Sequence, residues 1–247
     1  MLWARLILLA MLFLLSWITY LDRAAISAAK ELMAVDLGLT DQAMGIVFGA
    51  FALGYALAQV PSGWFADRAG PRIALVTIVT CWSLFTSLTG VVGEFAALVA
   101  VRFLFGVAEA GAFPTSARAF YNWLPAGEHG RANGIIFSGS RLGAALSFPI
   151  LGLIMDSFGW RGAFLVLGAP GLLWAAVWLF WFRDQPPHAV TRPASQKADV
   201  RLSELFRSRL MLLAMGQYFA SNFTFFLCLS WMHPYLMSHY RLSRDRA

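Results

Sequence analysis

Apolar stretches of about twenty residues recur along the whole chain, each closed by a short break of charge, glycine or proline. A helix needs roughly 20 apolar residues to cross about 30 Å of hydrocarbon. In that medium each segment must satisfy its own backbone N–H and C=O groups. The composition agrees, with 59% hydrophobic and 13% charged residues, where a soluble domain has about 25% charged. These features predict an all-α polytopic membrane protein.

Seven spans are predicted. They run over 6–29, 42–65, 73–92, 95–119, 133–155, 162–182 and 210–237. The first looks like a signal peptide, with "AAISAA" offering small residues after it. However, Asp22-Arg23 interrupts it and apolar character resumes beyond, so it is read as a retained helix. Residues 184–208 hold three prolines and mixed charges and read as a cytoplasmic linker, with a short helix near Leu202–Phe206. Eleven basic residues from Arg5 to Arg209 fall on one side, against Lys30 and Arg161 on the other. The N-terminus and the linker are therefore expected in the cytoplasm. Arg241, Arg244 and Arg246 break that rule, which suggests a truncated tail.

A net charge of +6 reads as topology and not as nucleic-acid binding. Cys81 and Cys228 stand alone, and the four histidines show no metal-ligand spacing. No metal, no cofactor and no enzyme activity are expected. Two readings remain besides a transporter: a truncated product without transport of its own, and a second chain completing the bundle. A non-transport membrane enzyme is disfavoured, because no His, Cys or Ser stands with a base.

"GWFADRAGPR", Gly63 to Arg72, has the form G-x-x-x-D-R-x-G-x-R. Gly63 and Gly70 are expected to make the turn. Asp67, Arg68 and Arg72 are expected to form a conformational latch, by pairing together, with a neighbouring loop or at a helix N-terminus. This stretch resembles the signature loop of the major facilitator superfamily. "YLDRAAISAA", "RFLFGVAEAGAFPTSARAFYNWLPAGEHGRANG" and "SGSRLGAALSFP" are similar to its anion:cation symporter branch, which includes permeases for sugar acids, tartrate and phthalate. The resemblance implies a six-helix N-terminal bundle over residues 1–183, built as a 3+3 inverted repeat, then the linker and one further transmembrane helix over 209–247. Five helices of the second half are absent. It also implies a multi-pass protein of the bacterial inner membrane that carries a small organic anion with a proton by alternating access. The site lies between two halves, so the missing half or a second chain is needed for a full cavity.

Charges inside a span cost roughly 2.5–3.5 kcal/mol each and usually face a bundle interior. Arg102 and Glu109 stand seven residues apart, on one helical face. A carboxylate held away from water can exchange protons near neutral pH. Glu109 and Asp22 are the candidate proton carriers, positions at which the symporter branch is known for coupling acids, and Arg102 is the expected partner of Glu109. Arg23 is the first candidate to grip the substrate carboxylate and Arg141, beside Ser140, the second. Tyr55 and Asn222 are candidates to bond substrate hydroxyls. Bland alternatives stand beside each: helix packing for the charged pair, snorkelling for Arg141, and ordinary packing for Tyr55 and Asn222.

Overall fold

The computed structural model describes residues 2–185 and 207–240, and every regular element among them is helical. In chain order these are α1 (Leu2–Leu37), α2 (Asp41–Thr89), α3 (Phe95–Glu109), α4 (Ala112–Trp123), α5 (His129–Trp181), α6 (Arg209–Leu227) and α7 (His233–Tyr240). A π-helical turn, Cys228–Met232, joins α6 to α7. Five helical segments are long and apolar enough to cross a membrane. Two of them are double length.

The 49-residue α2 would be about 70 Å long if straight, more than twice the hydrocarbon thickness. It does not run straight. Gly70 has φ of 76° and ψ of 152°, a conformation that side-chain-bearing residues avoid. Pro71 follows at once, in the first position of the next arm, where its missing N–H costs nothing. Gly159, with φ of 66° and ψ of 172°, bends α5 in the same way. The predicted spans two and three are thus the two arms of α2, and spans five and six the two arms of α5. The breaks that read as loops are helical almost throughout, interrupted at one glycine each. Gly63 lies within the first arm with open space around it, so it does not make the turn. Span four is α3 and α4, broken near Ala110, whose carbonyl faces the missing N–H of Pro114.

The arms pack through small residues, as close-packed membrane helices do. Gly54 and Gly106 meet where α2 crosses α3; a Cβ on Gly106 would lie 2.3 Å from the Phe51 carbonyl oxygen. Gly139 and Gly143 of α5 rest on Phe13 and Trp17 of α1. The second arms of α2 and α5 run antiparallel, with Gly168 and Gly171 against Ser83 and Ser87. Two apolar clusters fill the bundle. One centres on Trp82, Phe120 and Trp178, the other on Met33, Met44 and Phe164.

The two bends share a pattern the sequence reading missed. Asp67, Gly70 and Arg72 recur at the same spacing as Asp156, Gly159 and Arg161. Arg72 donates to the Leu179 carbonyl at 3.0 and 2.7 Å, near the end of α5. Arg161 donates to the Gly90 and Val92 carbonyls at 3.3 and 2.7 Å, just past the end of α2. Each bend therefore supplies an arginine to the carbonyl end of the other long helix, where a cation is favourable. Arg161 also pairs with Asp36 at 3.0 Å, and the Arg72 backbone N–H donates to Asp184 at 2.8 Å.

α6 has no buried residue. The chain after it meets the bundle at one end: Ser27 donates to the Ser230 carbonyl at 2.7 Å, Phe48 meets Trp231 at 5.3 Å and Phe148 stacks on His233 at 4.4 Å. The predicted short helix at Leu202–Phe206, most of the linker and the basic tail lie outside the described residues.

Gly106→Ala is expected to destabilise the purified protein by about 1–3 kcal/mol through overpacking, read as a lower melting temperature in detergent. Gly134→Ala, where nothing lies within 4 Å, is the matched control and should leave it unchanged. Arg72→Gln and Arg161→Gln should each cost about 1–3 kcal/mol in the same assay, since each strips charge-assisted hydrogen bonds from a helix end.

Candidate functional site

Four charged side chains meet inside the bundle. Asp22 and Arg23 come from the middle of α1, Arg102 and Glu109 from α3, and none is more than 5% exposed. The close contact is between helices: Arg23 Nε donates to Glu109 Oε2 at 2.8 Å. Arg102, the expected partner of Glu109, is within its electrostatic reach and not in contact with it. Seven residues along one face are about 10 Å apart on the axis, and the Arg102 guanidinium lies over Phe105 at 4.5 Å and Phe51 at 5.3 Å. Arg102 Nε has no hydrogen-bond partner.

Arg23 is boxed by aromatic rings. Its guanidinium carbon lies 5.0 Å from Tyr20, 4.6 Å from Tyr55, 5.4 Å from Phe51 and 5.6 Å from Phe226, a setting that suits a weakly hydrated cation. One terminal nitrogen of Arg23 and one oxygen of Glu109 remain without partners, and so do both oxygens of Asp22. Asp22 lies beside the Trp82 indole, within electrostatic reach of Glu109 and Arg102. Buried polar groups left open in this number are costly in a purely structural cluster.

In front of Arg23 lies a cavity of about 240 Å³. Its lining includes Arg23, Tyr55, Arg141 and Asn222, so four of the five expected substrate residues share one space. Ser140 does not. It is buried and its hydroxyl donates to the Phe137 carbonyl at 3.1 Å on its own helix. The helix turns Arg141 toward the cavity, and Ser140 is not among the lining residues. Asn222 lines the cavity while its amide donates to the Tyr218 carbonyl at 2.8 Å. Tyr20, Gln59 and Ser221 also line it and were not foreseen. Tyr20 lies within the first predicted span, and only the fold shows that it faces inward.

Two charged layers flank this centre. On the linker side, Asp67 lies 3.9 Å from Arg118, Arg68 covers the Trp64 ring at 3.8 Å, and Arg72 takes the carbonyl contacts described above. The latch residues thus engage α4 and the end of α5, and not a helix N-terminus. On the other side Lys30, read from sequence as a loop residue, is buried in α1. It pairs with Glu31 and Asp41. Among the described residues no three His, Cys, Asp or Glu side chains form a metal-binding group.

Comparison with known proteins identifies the family and the fold. Residues 12–246 match the model of the Major Facilitator Superfamily. The chain is 38% identical to the probable sulfoacetate transporter of Cupriavidus necator, covering 94% of this chain and 57% of the relative. It is 32% identical to the hexuronate transporter of Bacillus subtilis, over 94% of this chain and 56% of that protein. With the probable L-galactonate transporter of Escherichia coli the figures are 33%, 94% and 54%. The chain thus spans about half the length of these curated relatives. In fold it is similar to a bacterial homolog of the human lysosomal transporter Spinster in an inward-facing, unoccupied conformation, with a TM-score of 0.84, 23% identity, 98% of this chain covered and 57% of that one. With the helical bundle, the glycine bends and the motif order in place, this multi-pass membrane chain belongs to the Major Facilitator Superfamily.

Proposed function

We propose that this chain forms one wall of the pathway of a secondary active transporter, a proton-coupled symporter for a small organic anion such as a sugar acid. It sits in a bacterial inner membrane with its N-terminus in the cytoplasm and works by alternating access. The observation that carries the reading is the buried Arg23–Glu109 pair at the wall of the cavity. A substrate carboxylate and Glu109 want the same guanidinium. Protonation of Glu109 releases Arg23, whose planar fork then binds the substrate carboxylate bidentately. Return of the proton restores the internal pair and expels the anion. Proton and substrate are thereby tied to one side chain.

Asp22 is the second proton site in this scheme. It lies beside the Trp82 indole and forms no ion pair with another described residue, which leaves its carboxyl group open to exchange with a proton. Arg102 balances the two acids without touching either. Tyr55 and Asn222 bond substrate hydroxyls, and the Gly70 bend with Asp67, Arg68 and Arg72 stabilises one conformational state. The relatives named for sulfoacetate, hexuronate and galactonate transport support the substrate class.

A second reading is that the 247 residues do not transport alone. The favouring observation is that they span about half of each listed relative, and the cavity is walled by this half and α6. Expression of this segment alone beside the longer gene product, in one uptake assay, separates the two.

Glu109→Gln should abolish accumulation of labelled sugar acid driven by a pH gradient, with a drop of roughly tenfold or more as expected for losing an essential proton group, while anion exchange across equal pH persists. Normal gradient-driven accumulation by this variant would remove Glu109 from the mechanism. Asp22→Asn, in the same assay, tests the second acid.

A further inference from the structure

We infer that Gln59 is a specificity-determining residue of this cavity, whose side-chain amide binds a substrate hydroxyl about five bonds from the acid group held by Arg23. The inference rests on the anion-cavity reading above and adds to it a residue, a depth and a required substrate group.

The register of two helices that run in opposite directions past Arg23 sets this depth. α2 travels from Asp41 toward the Gly70 bend on the linker side, while α6 travels away from the linker. They meet where Phe51 lies 6.3 Å from Phe226, and both rings stand beside the Arg23 guanidinium. One turn nearer the linker, this register sets Tyr55 of α2 opposite Asn222 of α6. A second turn sets Gln59 opposite Tyr218. All four residues line the cavity, so its two long walls carry polar rungs at two depths.

The rungs differ in what they leave open. On α6, Asn222 already donates to the Tyr218 carbonyl at 2.8 Å, and the Ser221 hydroxyl accepts from Gln217 at 2.9 Å. Gln59 is half-buried and makes no hydrogen bond with another described residue. Its amide keeps two donors and an acceptor. The same stretch of α2 turns Leu53, Leu57 and Val60 outward, whereas Gln59 shares the Tyr55 face and meets the cavity.

Positions four apart on a helix are about 6 Å apart along its axis. The Tyr55 ring is 4.6 Å from the Arg23 guanidinium, so the first rung lies level with the bound acid group. An extended chain advances about 3.6 Å over three bonds, so a substrate reaches the second rung with about five. An acid of two or three carbons ends short of Gln59. A six-carbon acid with a terminal hydroxyl reaches it and completes its bonding. The same chain ending in a methyl group displaces water from the amide and replaces no hydrogen bond, which is unfavourable.

The test uses the intact gene product in proteoliposomes under a pH gradient, with labelled galactonate, 6-deoxygalactonate and glycolate. The first two differ only in the terminal hydroxyl. The expected result is kcat/KM for galactonate exceeding that for the deoxy acid by about fivefold or more, the scale of one hydrogen bond. Gln59→Met, close in size and without the amide, should bring that ratio near one by lowering galactonate uptake and sparing the deoxy acid. Gln59→Asn keeps the amide on a shorter arm and should retain part of the ratio. A wild-type ratio near one overturns the inference, as does a ratio that Gln59→Met leaves unchanged while lowering all uptake together. Uptake of glycolate alone overturns the depth assigned to Gln59 and leaves the anion cavity standing. Uptake of none of the three overturns the anion-cavity reading itself.

Discussion

Hydrocarbon supplies no hydrogen bonds, and that constraint shapes every level of this chain. Each backbone group must find its partner within a helix, so the described residues are helical almost without interruption. The difficulty moves to the helix ends, where carbonyls run out of N–H donors. Here the solution comes from across the bundle. Arg72 serves the end of α5 and Arg161 the end of α2. The bends that bring these arginines into place depend on one glycine each, at a backbone conformation that other residues avoid.

The same medium gives the central charges their meaning. A buried ion pair contributes little to stability compared with well-packed apolar residues, because desolvation offsets its attraction. Arg23 and Glu109 persist at a wall of a cavity, with open valences on both. Asp22 and Arg102 nearby are likewise short of partners. A surround of aromatic rings holds the two arginines, and it is on these open valences that the proposal of a proton and an anion rests.

The long apolar runs made the spans legible in the sequence, because length and hydropathy are local properties. The glycine bends were legible as breaks but not as helix, since charged residues between apolar runs look like loops until their dihedral angles are known. The contact partner of Glu109 was not legible, because spacing along one helix says which residues share a face, not which neighbour faces them. Arg23 lies 86 positions away in sequence, and only packing brings it close. Ser140 and Arg141 illustrate the same limit: adjacent residues on a helix point about 100° apart, so one lines the cavity and the other bonds its own backbone. Lys30 was read as a loop residue because it falls just past the predicted first span, whereas Tyr20 lies within that span and nothing local says which way it faces.

The seventh span makes ring contacts with the rest of the bundle between Phe225 and His233, whereas Leu210 and Leu213 are 79% and 62% exposed. In water such an apolar face would be a liability. In hydrocarbon it carries no such penalty, because lipid tails are as apolar as leucine. The exposure that would drive a soluble helix to aggregate is, in this solvent, an ordinary resting condition.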